Sequence, residues 1–221
     1  MRRELNPWPA LADLFSGLLV ATFGGLMLFT GAGEGEGEDP VETRARQISQ
    51  LVVQRLQSSL GGETRELGGD TFLDVRLQFE LNKDEIAAGD RQKIRKACAA
   101  LKDTFSDGLI LRGELEIWIE GHTDHTQPKW AELERDRYLF NWRLSSNRAA
   151  SVLYEFKECG LAPSPDLPVR IFAIGYADTR PIPGSASQDM QRRTTFRIRP
   201  DRCAIRAMLA GEDPADQCTP F

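Results

Sequence analysis

The sequence predicts an α/β protein: an α+β two-layer sandwich in the order β-α-β-α-β-β, preceded by a single N-terminal transmembrane helix. Three observations predict it. Residues 10–29, ALADLFSGLLVATFGGLMLF, are apolar enough to cross a bilayer. Between residues 70 and 200, blocks of strand-like and helix-like periodicity alternate. A Gly- and Glu-rich stretch, GAGEGEGEDP, separates the two regions.

Residues 1–9 carry Arg2 and Arg3 and read as a cytoplasmic N-terminus, and residues 10–31 are the span. At about 1.5 Å rise per residue, some 20 residues cover the roughly 30 Å of a bilayer core. After it come Glu34, Glu36, Glu38 and Asp39, with no basic residue before Arg44. The positive-inside rule therefore puts the rest of the chain outside the cytoplasm. A cleaved signal peptide is the competing reading, with Gly31, Ala32 and Gly33 as the cleavage region. Against it stands Asp13, because signal cores are shorter and lack internal acids.

Residues 32–69 read as a linker outside the membrane. Asp39 and Pro40 suit an N-cap and a first helical position. Ala45, Ile48, Val52, Leu56 and Leu60 recur at helical spacing, so 40–60 is an amphipathic helix that Gly61 and Gly62 stop. Such a helix can pair with its copy, lie on the membrane or dock on the domain.

The domain itself spans 70–200. TFLDVRLQFEL (71–81) reads as a strand, with Phe72, Val75, Leu77, Phe79 and Leu81 supporting it. DEIAAGDRQKIRKACAALKDTF (84–105) is helical, with Ile86, Ile94, Ala97, Cys98 and Leu101 toward the core. ELEIWIEGHT (114–123) is a strand with Leu115, Ile117 and Ile119 on one face. SSNRAASVLYEFKECG (145–160) is a helix capped by Ser145 or Ser146 and closed by Gly160. VRIFAIGYA (169–177) and TTFRIRP (194–200) complete the sheet, with the helices on one side.

Residues 201–221 form a tail bracketed by Cys203 and Cys218, and a bridge between them would staple it to the domain. Cys98 and Cys159 lie on the two predicted helices; they read either as a second pair or as buried core thiols.

A net charge of −5 offers no basic stripe for phosphates and argues against nucleic acid. HTDH (122–125) invites a metal, but the chain has only two histidines and no further ligands at zinc spacing, so no metal is expected. No serine or cysteine has a plausible base and orienting partner, so the reading is not an enzyme.

Asp124 ends a strand and Arg148 falls in the first turn of the predicted helix. An acid and a guanidinium facing one groove suit a zwitterionic amino-acid end, with helix-start N–H groups favouring its carboxylate. A plain salt bridge across the strand–helix junction is the alternative. IEGHTD (119–124), NWRLSSNRAASVLYEF (141–156), RIFAIGYADTRPI (170–182) and QRRTTFRI (191–198) together resemble the OmpA-like peptidoglycan-binding domain over about 75–200. That family shows a G-x-T-D turn, an N-x-x-L-S-x-x-R-A helix start, a G-Y-G-x-x-x-P loop and a closing N-R-R. The chain departs from it at Ala177, at Gln191 and in a longer stretch between Asp124 and Asn141. The resemblance implies that Asp124 and Arg148 hold the diaminopimelate of the cell-wall stem peptide, with Asn141, Leu144 and Arg193 near the groove.

Asp13 poses a separate question, since a carboxylate near the centre of a membrane helix costs about 2.5–3.5 kcal/mol. It lies near the start of the apolar run, which evades part of that cost, but a short acid snorkels poorly. Gly17, Ala21 and Gly25 follow it at four-residue steps, a small-residue face on which another helix can pack. Trp8, Ala12, Asp13, Leu14, Phe15 and Ser16 resemble the span of MotB-type stator subunits, whose pattern is A-D-φ-φ-S/T after an aromatic. The resemblance implies a bacterial inner-membrane protein with a periplasmic C-terminal domain. Its aspartate carries H+ or Na+ with no cofactor, and its partners are a MotA/ZorA-like multi-span subunit, a second copy of itself and peptidoglycan. Ser16 either helps coordinate sodium or bonds the helix backbone. Within the class the short N-terminus most resembles the ZorB subunits of the Zorya anti-phage defence system, with flagellar MotB the nearest rival. By the same analogy the 40–60 helix is a candidate plug. A passive OmpA-like envelope tether and a zinc hydrolase of the wall are the readings from other classes.

Overall fold

The computed structural model describes residues 39–79, 83–126, 128, 130–163, 167–182, 184 and 187–218. The predicted span at 10–31, with Asp13, Ser16, Gly17, Ala21 and Gly25, lies outside the described residues, as does most of the acidic linker. No helix among the described residues is long and apolar enough to cross a membrane.

Helix α1, Pro40–Leu60, begins at the proline whose fixed φ suits a first helical position. It ends where Gly61 takes a positive φ of 69°. Its stripe of Val41, Ala45, Ile48, Val52, Leu56 and Leu60 is buried in the main core. Of the three placements open to this helix, the structure shows docking on the domain. Arg44 fastens it to the buried Glu114 at 2.7 Å, and Glu42 accepts from Arg202 at 2.6 Å.

A hairpin follows, with β1 (Glu63–Leu67) and β2 (Asp70–Val75) in antiparallel register, Glu63 opposite Asp74. Its turn residues Gly68 and Gly69 both have positive φ, 61° and 82°, as a tight hairpin turn with matching twist requires. β1 adds a fifth strand to the predicted order. The predicted strand 71–81 is also corrected. β2 stops at Val75 because its neighbour in the sheet supplies no partner beyond Thr194. Past it, Phe79 makes only an isolated bridge to Ile86.

Helix α2 is Ala88–Ser106, four residues shorter at its start than predicted because Ile86 is held in that bridge. Strand β3 is Leu115–Gly121, helix α3 is Glu134–Glu158, and strand β4 is Val169–Gly175. A short helix α4 (Gln188–Gln191) precedes β5, Thr194–Pro200. Helices α5 (Arg202–Leu209) and α6 (Pro214–Gln217) close the chain. The sheet order is β1-β2-β5-β3-β4, mixed, with β3 and β4 parallel and joined through α3. Leu115, Ile117 and Ile119 of β3 face the same core as Ile94 and Leu101 of α2 and Val152 and Phe156 of α3. The alternate residues Glu116 and Trp118 lie on the other face with Arg170 of β4 and Arg199 of β5. There Glu116 pairs with Arg170 at 2.9 Å.

The cysteines form two disulfides, Cys98–Cys159 between α2 and the end of α3, and Cys203–Cys218 across the tail. The tail is folded: the Asp201 carboxylate caps α5 by accepting from the N–H groups of Cys203 and Ala204, and Ile205 joins the core.

Leu56 is fully buried on α1. Replacing it with Ala should lower unfolding stability by about 2–5 kcal/mol, read as a fall in the denaturant midpoint. A change near zero would mean that α1 is not part of the core.

Candidate functional site

The site is built where α3 crosses the C-terminal ends of β3 and β4. Each of those strands ends in glycine. A Cβ on Gly121 would overlap the Ser145 carbonyl, and one on Gly175 would overlap the Ser146 amide and the hydroxyls of Ser145 and Ser146. The missing side chains let the middle of α3 touch the sheet's backbone.

That middle was predicted as the helix start. The structure corrects this, since α3 begins at Glu134 and its preceding residue, Leu133, makes no side-chain cap. Ser145 is fully buried and serves another purpose. Its hydroxyl donates to the Trp142 carbonyl at 3.0 Å and accepts from the Ala177 N–H at 3.0 Å, holding the loop after β4. Arg148 therefore lies midway along α3, not among the N–H groups at that helix's start. Helical spacing instead sets Asn141, Leu144 and Arg148 along one side of α3.

Asp124 follows β3 and is 7% exposed. Its Oδ1 accepts from the Thr126 N–H at 2.9 Å, a local turn that fixes the carboxylate. Its Oδ2 lies 3.2 Å from Nε of Arg192, on the residue after α4. Asn141 is buried and donates to the carbonyls of Asp124 and Thr126, both at 3.2 Å, so it holds the loop rather than lying open. Leu144 is half-buried one turn further along. Arg148 donates from Nε to the Lys83 carbonyl at 3.2 Å, and its guanidinium lies 4.8 Å from the Phe79 ring centroid. Burial pulls this guanidinium below its ordinary range; Arg192 adds to the effect, and Asp124 and Asp84 oppose it. Two guanidiniums thus share one carboxylate's neighbourhood, which favours a further anion.

Arg193 is placed elsewhere. It is buried, pairs with Asp74 of β2 at 3.1 Å and donates to the Arg180 carbonyl at 3.0 Å. Sequence reasoning named Arg193 and missed Arg192, because the two are equivalent in an R-R dipeptide. Only the side to which each points at the start of β5 separates them. Phe79 was read as a strand residue, and its role under Arg148 carried no sequence signal. Among the described residues no three His, Cys, Asp or Glu side chains gather as metal ligands.

Residues 78–195 match the model of the OmpA family. A 67-residue stretch is 39% identical to the uncharacterized protein YtxE of Bacillus subtilis (strain 168). It covers 30% of this chain and 24% of YtxE, so the match spans about a quarter of that relative's length. A solved MotB-like protein from Desulfovibrio vulgaris has a similar fold, with a TM-score of 0.53 at 23% identity, covering 73% of this chain and 94% of that one. A periplasmic domain of Helicobacter pylori MotB aligns with a TM-score of 0.49 at 18% identity, over 67% of this chain and 95% of that one.

Asp74 anchors Arg193, the chain neighbour of Arg192. Burial alone would raise its carboxyl, but the Thr195 hydroxyl, Arg65 and Arg193 outweigh burial and hold it below the ordinary range. A carboxyl depressed on folding contributes stability above its unfolded value, lost as pH falls through the folded one. Stability should therefore fall below about pH 4. Asp74→Asn should cost about 1–3 kcal/mol at neutral pH and flatten part of that acid dependence in urea melts. An unchanged pH profile would assign the acid sensitivity to other groups.

Proposed function

Because the chain belongs to the OmpA family, we propose that its folded unit grips peptidoglycan and holds the chain stationary as the stator-like subunit of an ion-driven inner-membrane motor. The observation that carries the grip is the cluster of Asp124, Arg192 and Arg148, with its fixed carboxylate and its excess of guanidinium. Diaminopimelate ends in an amine and a carboxylate on one carbon. Its ammonium pairs with Asp124, and its carboxylate takes the planar fork of Arg148 or Arg192. Asn141 keeps the loop carrying Asp124 in place through its two carbonyl bonds.

The motor half of the reading rests on the sequence of the span. Asp13 heads the Gly17, Ala21 and Gly25 stripe, where a neighbouring helix can pack. Binding and release of a proton or sodium ion there changes its charge against a MotA/ZorA-like subunit. Moving one charge through the membrane potential supplies about 2.3 kcal/mol per 100 mV. That energy does work only if this chain is held, which gives the wall grip its purpose. A second copy of the chain, an inner-membrane span and a periplasmic folded unit complete the assembly. Within this class the reading is a ZorB-like defence subunit, with a flagellar MotB-type subunit as the alternative. The passive tether shares the same wall grip and differs only in having no use for the Asp13 charge.

Asp124→Ala and Arg148→Ala should each abolish retention of the intact chain on sacculi in pull-down, with circular dichroism unchanged. Binding retained by both variants would remove the anchor reading. Asp13→Asn should leave assembly with the multi-span partner intact and stop the biological output; full output from that variant would leave the tether.

A further inference from the structure

The C-terminal end of β3 buries two titratable side chains that the groove does not use. Glu120 is 1% exposed and His122 2%. Among the described residues, neither ring nitrogen of His122 nor Oε1 of Glu120 has a hydrogen-bond partner. His122 Nε2 stands 3.7 Å from Glu120 Oε2, a charge-pair distance but too long for a hydrogen bond. Buried polar groups are almost always satisfied, so an unmade pair of this kind asks for an explanation.

Every element around the pair contributes charge. From β2, Asp74 acts on His122, and from the approach to β5 so does Arg193. From β5, Arg197 lies 3.9 Å from Glu120 Oε1. From the loop after β4, Tyr176 stacks on the imidazole at 5.8 Å between centroids. Arg180 of that loop lies 3.6 Å from the Tyr176 centroid and 3.6 Å from Glu120 Oε1. Burial pushes His122 below its ordinary range; Glu120 opposes this, and Arg193 reinforces it. The ring is neutral at neutral pH.

The same strand end is where the loop carrying Arg192 is tied down. The Tyr176 N–H donates to the Gly121 carbonyl at 2.9 Å, the Thr123 N–H to Ala177 at 2.9 Å, and the His122 N–H to Arg193 at 3.0 Å. Tyr176, Ala177 and Arg193 therefore meet the backbone at and beside His122. Ile182 is in turn tied to Gln191, whose side-chain oxygen accepts from the Ile182 N–H at 2.9 Å. We propose that Glu120 and His122 form a proton-sensitive positioning element, which keeps Tyr176–Ile182 and, through Gln191, the neighbouring Arg192 docked beside Asp124 only while His122 is neutral. The inference rests on the wall-grip reading and adds a regulation to it.

When solvent protonates His122, its Nε2–H closes onto Glu120 as a charge-assisted hydrogen bond. Arg180 and Arg197 then share one carboxylate with a third cation. The hold of Arg180 on Glu120 weakens, the loop loosens and Arg192 withdraws from Asp124. The direction follows from linkage. A histidine depressed on folding supports the docked state fully above its ordinary value of about 6.5, and that support is lost as pH falls through the folded value. Acid therefore loosens the grip.

The test is retention of the full chain on sacculi between about pH 5 and about pH 7.5, above the ordinary carboxylate range. Wild-type retention should fall with pH, by up to about tenfold per unit below the His122 pKa. His122→Gln should give a flat profile whatever its absolute level, while the exposed His125→Gln keeps the wild-type slope. Glu120→Gln, which removes the carboxylate that accepts the proton's bond, should move the fall to lower pH. A flat wild-type profile, or a wild-type slope in His122→Gln, overturns the positioning role and leaves the anchor intact. Absence of wild-type binding at every pH removes the anchor reading itself. The chain's two histidines also give two imidazole NMR titrations. They decide the matter if His122→Gln fails to fold: a His122 signal titrating at or above about 6.5 overturns the inference.

Discussion

Backbone contact between α3 and the glycine-ended strands β3 and β4 is the constraint on which the rest depends. Ordinary helix-on-sheet packing keeps side chains between the layers. Here the Cβ positions of Gly121 and Gly175 fall on atoms of Ser145 and Ser146, so the layers meet directly. Ser145 can then reach the Ala177 N–H, and Asn141 can reach the loop after Asp124. The Asp124, Arg148 and Arg192 cluster is thus framed by one helix, two strand ends and the loops that follow them. Rigid elements that hold a site on loops are a common division in binding proteins.

The electrostatics separate into a structural set and a site set. Arg193, Asp74, Arg65 and Thr195 form a cluster that ties β1, β2 and β5 together. Arg192, the residue just before Arg193, faces Asp124 at 46% side-chain exposure. With its arginine half in water, this pair is screened and contributes less than a fully buried one. It is correspondingly easy to exchange for a ligand's charges, whereas the buried Arg193 pair is not. Glu114 plays the structural part for α1. It accepts from Arg44 and from the Leu111 N–H, so the helix nearest the linker is bolted to the loop before β3.

The same contrast explains what could be read in advance. Alternation marked β3, β4 and β5, and helical spacing marked α1 and the core face of α2, because backbone period and burial are local properties. β1 escaped because ETREL is polar and mostly exposed; the Gly68–Gly69 pair between it and DTFLDV was the signal available. The start of α3 was placed too late because Ser145 and Ser146 have the chemistry of caps. Tertiary packing put them mid-helix against glycine instead.

By itself the amino-acid sequence determined the α/β class of the folded unit, four of its five strands, the core stripes and the proximity of Asp124 to the Arg148 helix, since each is written in periodicity or in a contiguous motif. Only the tertiary structure decided which of two adjacent arginines faces Asp124, that Cys98 bonds Cys159, that α1 is docked, and that His122 and Glu120 are buried together. These are relations between residues far apart in the chain. Close packing selects them from several arrangements that the local pattern allows equally.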